Sequence, residues 1–392
     1  MRRRGLLWLL PLVSCAAPGM DSPTLADDTR FLDEQGEAIR LASGDGWIVV
    51  SPELQGRVMT SGLAGDQPGF GFLDRDRIAD PPTTAPFRNF GGEDRFWLGP
   101  EGGPFALYFG GSRERDLDHW QVPADLNEGP WRVLDRRPDA VELGRRLQVV
   151  NAVGTRFLVD ARRRIEIPAE VEIAQLVGGL PAGAAWVGFR SRNRVRNAGD
   201  RAWTPEEGLI CIWILSQFRP GDRAWVIAPF RRRGDGPPVR ADYFGQVPPD
   251  RLRLGDGFAL FRVDARHRSK IGVLRDRALP VAGSYDPDTG VLTLVRFGPI
   301  DTTARYVDET WPIDQADPFA GDVLNSYNHG GPEPFYEIES SSPALELAPG
   351  GEWEHEHLVV HLRFRSPEDL AAAASHALGV DWDQVRRLAG WE

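Results

Sequence analysis

The sequence has very little lysine, little cysteine and no N-terminal apolar run long enough to cross a membrane. Lys270 is the only lysine among the 46 basic residues, a bias that we attribute to codon usage rather than to function. The first apolar run, Leu6 to Leu10, falls far short of the roughly 20 residues that a spanning helix needs. Cys15 and Cys211 are too few for a cysteine metal cluster. Cys211 lies in an apolar run and is expected to be a small buried residue.

The first 15 residues resemble a bacterial lipoprotein signal. Arg2 to Arg4 give a positive start, an apolar stretch follows, and Leu12 to Cys15 ends in small residues before the cysteine. We expect residues 1–14 to be a cleaved signal peptide and Cys15 to be lipidated. This places the protein in the bacterial cell envelope, at the outer membrane or the periplasmic face. An ordinary secretory signal is the alternative.

Residues 15–28 are expected to form a tether between the lipid and the folded domain, because they are rich in proline, glycine and serine. Cleavage removes three arginines and makes the formal net charge of -11 more negative still. A chain this acidic is not expected to bind nucleic acid. With Cys15 lipidated, Cys211 has no partner for an intrachain disulfide.

Most of the remaining chain has the pattern of short β-strands bounded by Gly, Pro, Asp and Asn. The predicted strands are Trp47–Val50, Ala140–Val150, Arg164–Ala174, Ala185–Asn197, Gly208–Leu215, Phe258–Val263, Gly290–Phe297 and Trp353–Phe364. Many strands with turns between them predict one all-β sandwich over residues 29–365.

Helix is expected only at the C-terminal end, over residues 366–392. Ser366 is placed to cap a first helix, with proline at its first position and acidic residues in its first turn. Asp381 is placed to cap a second helix, with Gln384 in the capping-box position. Both helices are expected to pack on the sandwich and to have no chemical role.

A glycine-rich segment, residues 89–103, contains Arg95, Trp97 and Glu101. Sugars are bound by such mixtures, because their polar edges pair with Arg and carboxylate groups while their C–H faces stack on aromatic rings. These three residues are therefore candidate substrate-binding groups. The alternative is a structural turn with a buried Trp97 and a local ion pair between Arg95 and Glu93.

A second segment, residues 325–343, places Glu337 and Glu339 after a glycine-rich loop that contains His329. Two positions apart on a strand, both glutamates point to the same face, with Cα atoms about 6.5 to 7 Å apart. If they are buried, their joint ionisation is disfavoured and one pKa rises, which makes a candidate acid–base pair. If they are exposed, they are only an acidic patch.

Arginines occupy every second position from Arg190 to Arg196 and share one face of a strand. This stripe is either a solvated sheet face or a sugar contact, and Arg192 is the candidate for the contact.

His355, His357 and His361 share a strand face in the same way. About 13 Å of extended chain separates His357 from His361, so one metal ion cannot bind all three. We expect a polar sheet face and no metal, with a site on two of the histidines as the alternative.

The run from Glu337 to Pro343, followed by Leu347 to Glu352 and a long strand, resembles the C-terminal end of aldose 1-epimerase-like proteins. Residues 192–199 are similar to the mid-domain strand and Asn-x-Gly turn of that superfamily. Gly91 to Glu101 resembles the Gly-Gly, Trp and Pro-Glu signature of an exported bacterial branch. The resemblance implies a galactose-mutarotase-like β-supersandwich with short C-terminal helices, a sugar cleft across one sheet and no cofactor.

The resemblance also implies a chemistry. In mutarotases a glutamate takes the proton of the anomeric hydroxyl while a histidine protonates the ring oxygen, which opens the ring. The glutamate corresponds to Glu339 or Glu337. The strand expected to carry the histidine, near residues 208–215, contains none, so we expect His329 or His119 to replace it from a loop.

The leading hypothesis is a carbohydrate-active lipoprotein domain that binds a sugar or oligosaccharide, with aldose 1-epimerase-like chemistry by Glu339 as base and His329 as acid. A non-catalytic carbohydrate-binding lipoprotein is the second hypothesis. A polysaccharide lyase or glycosidase-like enzyme is the third, because Tyr327 lies near His329 and arginines. In each hypothesis the ligand is a carbohydrate, and the chain meets the membrane only through its lipid.

Lipidation at Cys15 predicts a clear labelling pattern in a bacterial host fed an alkyne-bearing fatty acid. The full-length chain and Cys211→Ser should both become labelled and sediment with membranes, whereas Cys15→Ser should do neither, because the lipid is attached to that sulfur. Click detection on a gel gives the result. A wild-type chain that is exported without label would establish the ordinary secretory signal instead.

Overall fold

In the computed structural model, residues 22–81, 86–88, 91–233 and 236–391 are described. Over these residues the chain forms three antiparallel sheets. The ten-stranded sheet consists, in spatial order, of β11 (Leu252–Gly255), β12 (Phe258–Arg262), β10 (Trp225–Pro229), β14 (Val281–Asp286), β15 (Val291–Gly298), β18 (Glu352–Arg363), β8 (Ala185–Asn197), β7 (Arg156–Glu166), β6 (Ala140–Val150) and β5 (Arg132–Arg137).

Two smaller sheets complete the strands. The five-stranded sheet consists of β13 (Ser269–Leu274), β16 (Asp322–Asn328), β17 (Tyr336–Ser341), β9 (Cys211–Phe218) and β4 (Arg95–Gly99). The three-stranded sheet consists of β1 (Ile39–Ser43), β2 (Gly46–Ser51) and β3 (Arg57–Gly62). The helices are α1 (Leu25–Glu34), α2 (Arg75–Ala79), α3 (Ala124–Asn127), α4 (Glu170–Val177), α5 (Pro367–Leu378) and α6 (Trp382–Ala389).

The five-stranded sheet packs one face on the ten-stranded sheet. Ile212 and Ile214 of β9 and Ile338 of β17 are fully buried in one apolar core with Phe189 of β8 and Val359 of β18. Each such side chain contributes about 1.5 to 3 kcal/mol by leaving water. Because side chains alternate along a strand, the odd-numbered residues of β4, β9 and β17 point to the opposite face of this sheet.

The outer face of the ten-stranded sheet is divided between helices and charged side chains. Over β10, β12, β14 and β15, helices α4, α5 and α6 bury a second apolar cluster that includes Trp382 and Trp391, both of which pack edge-on against Tyr285. The predicted packing of the two C-terminal helices is therefore confirmed. Over β6, β7 and β8 the outer face instead carries ion pairs between arginines and acidic residues, such as Arg192 with Glu166.

The prediction of an all-β sandwich with C-terminal helices is confirmed, and β6 and β8 have the predicted bounds. The strand predicted over Arg164–Ala174 is wrong. Strand β7 ends at Glu166 and α4 begins at Glu170. Ile173, Leu176 and Val177 of that helix are buried together. This spacing of three and four residues is the helical one.

The expectation that helix occurs only at the C-terminus is also wrong, as α1 shows. Thr24 caps it in a full capping box with Asp27, and Leu25 is completely buried. The folded domain thus begins inside the predicted tether of residues 15–28. Residues 1–21, with the predicted signal peptide and Cys15, lie outside the described residues.

The N-termini of the two C-terminal helices are capped in different ways. Ser366 accepts from the Asp369 N–H, as predicted. Asp381 caps α6, but Gln384 does not close a capping box. Its Oε1 instead accepts a hydrogen bond from the N–H of Asp256, at 2.8 Å, and so ties the helix to the turn after β11.

None of the helices in the described parts of the chain is both long and apolar enough to span a bilayer.

The three histidines of β18 form a buried polar layer between the sheets. Ser340 Oγ lies 2.8 Å from His355 Nε2 and 2.8 Å from His357 Nδ1, and Ser216 Oγ lies 3.0 Å from His357 Nε2. His361 instead lies 3.0 Å from a carboxylate oxygen of Glu93. Among the described residues, no group of three or more metal-binding side chains includes these histidines.

The burial of His355 and His357 predicts that the folded protein loses stability in acid. Burial lowers the pKa of His355 to about 3 and holds the pKa of His357 well below its usual range. An unfolded histidine titrates near 6.5. The unfolded chain therefore binds more protons below pH 6.5, so their contribution to stability is complete above that pH and falls as the pH approaches 3.

We expect the free energy of unfolding, measured by urea titration, to fall steeply from pH 7 to pH 5 in the wild type. The fall should be shallower in His355→Gln, which removes one titrating group. His376→Gln is the matched control, because His376 is exposed on α5, and its slope should equal that of the wild type. Equal slopes for all three proteins would contradict the prediction.

Candidate functional site

A cavity of about 560 Å³ opens on the face of the five-stranded sheet that points away from the ten-stranded sheet. Its floor is made of side chains from all five strands of that sheet. Its rim is made of loops that carry Trp120, Phe244 and residues 329–335, together with Arg77 of α2. The predicted site residues Arg95, Trp97, Glu101, Tyr327, His329, Glu337 and Glu339 all line it. The structure thus brings together most of the residues singled out in the sequence.

Glu339 on β17 accepts two hydrogen bonds through the same oxygen. Lys270 Nζ lies 2.9 Å from Glu339 Oε2, and the indole N–H of Trp213 donates to that atom over 2.9 Å. Only 1% of the Glu339 side chain is exposed, so the ammonium group supplies the charge that a buried carboxylate needs. Glu339 is a pre-positioned carboxylate with one oxygen left to face a ligand.

Glu337 lies two positions earlier on the same face and has a different environment. Arg95 Nη2 donates to Glu337 Oε1 over 2.9 Å. Burial raises the pKa of Glu337 to about 7, since it outweighs the opposing effect of Arg95, and the nearby Glu339 carboxylate raises it further. The buried form of the predicted pair is therefore the one that the structure shows, and burial makes the protonated form of Glu337 accessible nearer to neutral pH than that of an ordinary carboxyl group.

Lys270, the only lysine of the chain, lies at the centre of the charges in the cavity. Its side chain is 4% exposed, and Nζ lies 4.9 Å from the centroid of the Trp213 ring. Burial alone would lower the pKa of this ammonium group, but Glu339, Glu101 and Glu309 raise it above its usual value. Lys270 thus remains a cation and holds the surrounding carboxylates together. The attribution of its rarity to codon usage missed this role.

Glu309 is a second residue that the sequence did not reveal. It lies beside the cavity, where it accepts a hydrogen bond from the N–H of Glu101, and burial raises its pKa to about 8. Gly99 makes the room, because a Cβ there would overlap Glu309 Oε1 and Cys211 Sγ. Cys211 is fully buried, as expected, and burial raises the pKa of its thiol.

His329 belongs to a chain of hydrogen bonds along the rim. Arg268 Nε donates to the Tyr327 hydroxyl over 3.2 Å, and that hydroxyl lies 3.1 Å from His329 Nδ1. His329 Nε2 lies 3.3 Å from Glu333 Oε2, and Glu333 pairs with Arg77. Burial, with the charges of Arg268 and Arg77, lowers the pKa of His329 to about 4. The imidazole is therefore neutral at pH 7, and both of its nitrogens have partners.

Trp97 supports the floor of the cavity from below. It is 2% exposed, packs edge-on against Trp213 and Phe87, and donates its indole N–H to the carbonyl of Leu126 over 3.1 Å. The half-buried Trp120 is the more accessible ring. It donates to Glu101 Oε1 over 2.9 Å, and Phe244 lines another part of the rim.

Two predicted binding residues do not reach the cavity. Arg192 lies on the outer face of β8, where it pairs with Glu166 at 3.0 Å, because strand alternation directs the even-numbered residues of β8 away from the core. His119 lies on the exposed surface next to Trp120, with Nδ1 2.7 Å from Asp116 Oδ1. The hydrogen bond to Asp116 raises the pKa of His119. Neither residue therefore belongs to this cavity.

The local ion pair between Arg95 and Glu93 is also wrong. Glu93 precedes β4 and turns into the sandwich, where it meets Ser61 and His361. Arg95 instead reaches across the sheet to Glu337. The glycine at position 91 permits this separation, since it has φ near +89° and a Cβ there would overlap the carbonyl of Phe72. Asn89 and Phe90 of the same predicted cluster lie outside the described residues.

Solved structures with a similar fold come from several organisms. A protein from Synechocystis sp. PCC 6803 matches at 13% identity and a TM-score of 0.51, over 83% of this chain and 95% of that chain. A galactose mutarotase-like protein from Lactobacillus casei ATCC 334 matches at 12% identity and a TM-score of 0.44, over 83% of this chain and 100% of that chain.

A galactose mutarotase related enzyme from Lactobacillus acidophilus matches at 8% identity and a TM-score of 0.46, over 84% of this chain and 99% of that chain. The Synechocystis match shows that the sandwich of this chain is a fold found in another protein. At such identities the likeness concerns the fold alone.

No curated protein matches the chain in sequence. The model of one protein family matches residues 23–389, which is nearly the whole length of the chain. The chain therefore belongs to this family, the family of unknown function DUF6786.

Proposed function

We propose that the cavity binds a sugar and that Glu339 and Glu337 exchange protons with it at the anomeric centre, as in an aldose 1-epimerase. The observation that carries the proposal is the pair of buried carboxylates on one strand face, held in unlike environments. One accepts from a lysine, and the other has a pKa near 7. Pairs whose environments separate their pKa values are how proteins assign acid and base roles.

The remainder of the cavity has the composition expected of a sugar site. Trp120 and Phe244 are half-buried rings at its rim, while the floor carries charged side chains beside Trp213 and Leu215. Arg95 Nε and Nη1 are buried without a hydrogen-bond partner in the described part of the chain. A ligand hydroxyl at Nη1 would supply one of these missing partners, which favours a polar ligand over a purely apolar one.

In the proposed reaction Glu339 takes the proton of the anomeric hydroxyl as base. The bond between the anomeric carbon and the ring oxygen breaks, and the ring oxygen receives the proton of Glu337. Rotation of the open-chain aldehyde and the reverse transfers then give the other anomer, with both glutamates restored. Lys270 donates a hydrogen bond to Glu339 Oε2 and holds it in place.

His329 does not suit the acid role that the sequence suggested for it. A proton donor has to carry its proton near neutral pH, and the pKa of His329 lies at about 4. We therefore assign the acid role to Glu337 and assign to His329 the positioning of Tyr327.

The lyase hypothesis is less well supported. It needs Tyr327 as a base, but burial raises the pKa of Tyr327 to about 12, so the phenolate is scarce at neutral pH. A non-catalytic sugar-binding protein would use the same cavity. The raised pKa of Glu337 favours catalysis, because simple binding does not require it.

For the cellular location, we propose an exported protein anchored in the bacterial envelope through a lipid on Cys15. The support is the N-terminal sequence pattern. A cavity on the surface of the domain is compatible with sugars that arrive from outside the cell.

The catalytic proposal predicts faster anomer exchange. Two-dimensional exchange NMR on a panel of aldoses and uronic acids should show acceleration by the wild-type protein. Glu339→Gln and Glu337→Gln should each lose about 10²- to 10⁴-fold, the usual contribution of an acid or base. The matched control is Glu346→Gln, an exposed glutamate paired only with Arg305, which should keep full activity.

The pH dependence is a second readout of the same variants. Because the acid must be protonated, kcat/KM in the wild type should fall as the pH rises above about 7, the pKa of Glu337. Sugar binding that persists without acceleration for any member of the panel would establish the non-catalytic alternative.

The positions of the two tryptophans predict opposite phenotypes. Trp120→Ala should weaken sugar binding about tenfold or more, measured by calorimetry, with little change in thermal stability, because its ring is half-buried at the rim. Trp97→Ala should lower the free energy of unfolding by about 3 to 5 kcal/mol, the usual cost of emptying a core site of an aromatic ring. Unchanged binding in a folded Trp120→Ala protein would remove this ring from the site.

A further inference from the structure

Four basic side chains line the cavity, and three of them form ion pairs with described residues. Arg95 pairs with Glu337 at 2.9 Å, Lys270 pairs with Glu339 at 2.9 Å, and Arg77 pairs with Glu333. Arg268 also lines the cavity, but it makes no ion pair with any residue in the described ranges. The rim of a strongly acidic chain thus carries one cation that is not neutralised by the protein.

The guanidinium group of Arg268 is held in place without a carboxylate. Its Nε donates to the hydroxyl of Tyr327 over 3.2 Å, and its central carbon lies 3.8 Å from the centroid of the Phe244 ring. Stacking on one face and a hydrogen bond on one edge fix the plane of the group. Both Nη groups remain without a hydrogen bond to the described residues.

The neighbours of Arg268 are arranged so that they do not compete for it. The nearest carboxylate of the hydrogen-bonded rim, Glu333, is held by Arg77 and by His329. Tyr327 is fixed from its other side by His329 Nδ1 at 3.1 Å. The chain from Arg268 through Tyr327, His329 and Glu333 to Arg77 therefore holds the guanidinium in position before a ligand arrives, which reduces the cost of binding.

We propose that Arg268 binds an anionic substituent of the sugar, so that the ligand of this cavity is an acidic sugar. The inference rests on the proposed function, because it assigns a substrate class to the same site. Two free Nη groups in one plane match the two oxygens of a carboxylate or of a phosphate in a bidentate contact. A cavity of about 560 Å³ is of the usual size for a small ligand.

The substituent is thus either the carboxylate of a uronic acid or a phosphate ester. The same guanidinium binds both, and the test below separates them. A neutral sugar would leave the cation without a partner, and the negative charge of the chain as a whole would otherwise repel an acidic one.

Binding of an anion at Arg268 has a consequence for His329. The positive charge of Arg268 is one of the causes of the low pKa of His329, together with burial and Arg77. An anion on Arg268 offsets that charge. The pKa of His329 should therefore rise from about 4 when the acidic sugar binds, while the facing groups Tyr327, Glu333 and Arg77 keep their contacts.

The experiment compares matched sugars on the full-length protein by isothermal titration calorimetry: glucose with glucuronic acid and glucose 6-phosphate, and galactose with galacturonic acid. We expect the acidic member of at least one set to bind tenfold or more tightly than the neutral one. Arg268→Gln should abolish this preference, so that the acidic and the neutral member of each set bind with equal affinity. Arg268→Lys should keep part of it, because it retains the charge and loses the bidentate contact.

Arg305→Gln is the matched control, since Arg305 is exposed and lies in a pair with Glu346. It should behave as the wild type. Tighter binding of uronic acids alone identifies the substituent as a carboxylate, and tighter binding of phosphorylated sugars alone identifies it as a phosphate. If both classes bind more tightly than the neutral sugar, the class with the higher affinity identifies the substituent. Inorganic phosphate should compete with the preferred sugar in the wild type and fail to do so in Arg268→Gln.

Equal affinity for neutral and acidic sugars, or an acidic preference that survives in Arg268→Gln, would overturn the inference and leave the proposed function intact. Failure of the proposed function itself is detected by a separate measurement, the NMR signal of Lys270. Because Lys270 is the only lysine, lysine labelled with ¹³C at Cε gives a single side-chain resonance from inside the cavity. If no sugar of either class shifts that resonance, the cavity is not a sugar site.

Discussion

The five-stranded sheet has to satisfy two environments at once, and the site depends on this constraint. One face is buried against the ten-stranded sheet and must be largely apolar, while the other lies under the cavity and must hold charges. Alternation of side chains along each strand separates the two sets. The antiparallel register then aligns Lys270, Tyr327, Glu337 and Gln217 in one row across four strands. A shift of one residue in β17 would put the glutamates into the apolar core.

Burial makes these charges costly, and the structure offsets the cost by pairing them. A carboxylate that leaves water without a partner loses several kcal/mol of solvation, so Glu339 needs Lys270 and Glu337 needs Arg95. The compensation is unequal, because Lys270 serves three carboxylates and Arg95 serves one that also faces Glu339. The part of the burial cost that is not offset raises the pKa of Glu337 to about 7 and the pKa of Glu309 to about 8. The raised pKa values of these two carboxyl groups thus follow directly from how the charges at the cavity are buried.

The sequence predicted those parts of the site that depend on neighbours along the chain. Glu337 and Glu339 were found because their spacing of two is a local property of a strand, and the strands β6 and β8 were found for the same reason. Lys270 and Glu309 were not found, because they reach Glu339 and Glu101 from 69 and 208 positions away. Only register and packing bring them together, although the rarity of lysine was a visible signal.

The position of Arg192 and His119 away from the cavity has a physical cause of the same kind. Arg192 and His119 are residue types suited to sugars, but type does not decide on which face of a strand or on which side of a loop a residue lies. Trp97 lines the cavity, but its ring is buried. Of the two interpretations of the glycine-rich segment, the one with a buried Trp97 is correct in this respect. Phe87 and Trp213 cover the ring, and the accessible ring, Trp120, follows in the next loop.

The arrangement of charges in the cavity gives a reason for the absence of a histidine from β9. A histidine acid is useful when the other groups of a site are fully ionised. Here Trp213, Leu215 and Gln217 occupy the cavity face of β9, and the proposed acid is Glu337 of the adjacent strand, which has a raised pKa. Strand β13, which carries the partner of Glu339, is immediately preceded by Arg268. One short strand therefore connects the charges of the cavity floor to the cation of the rim, and in the proposed reaction it would place a ligand bound at Arg268 beside the glutamates.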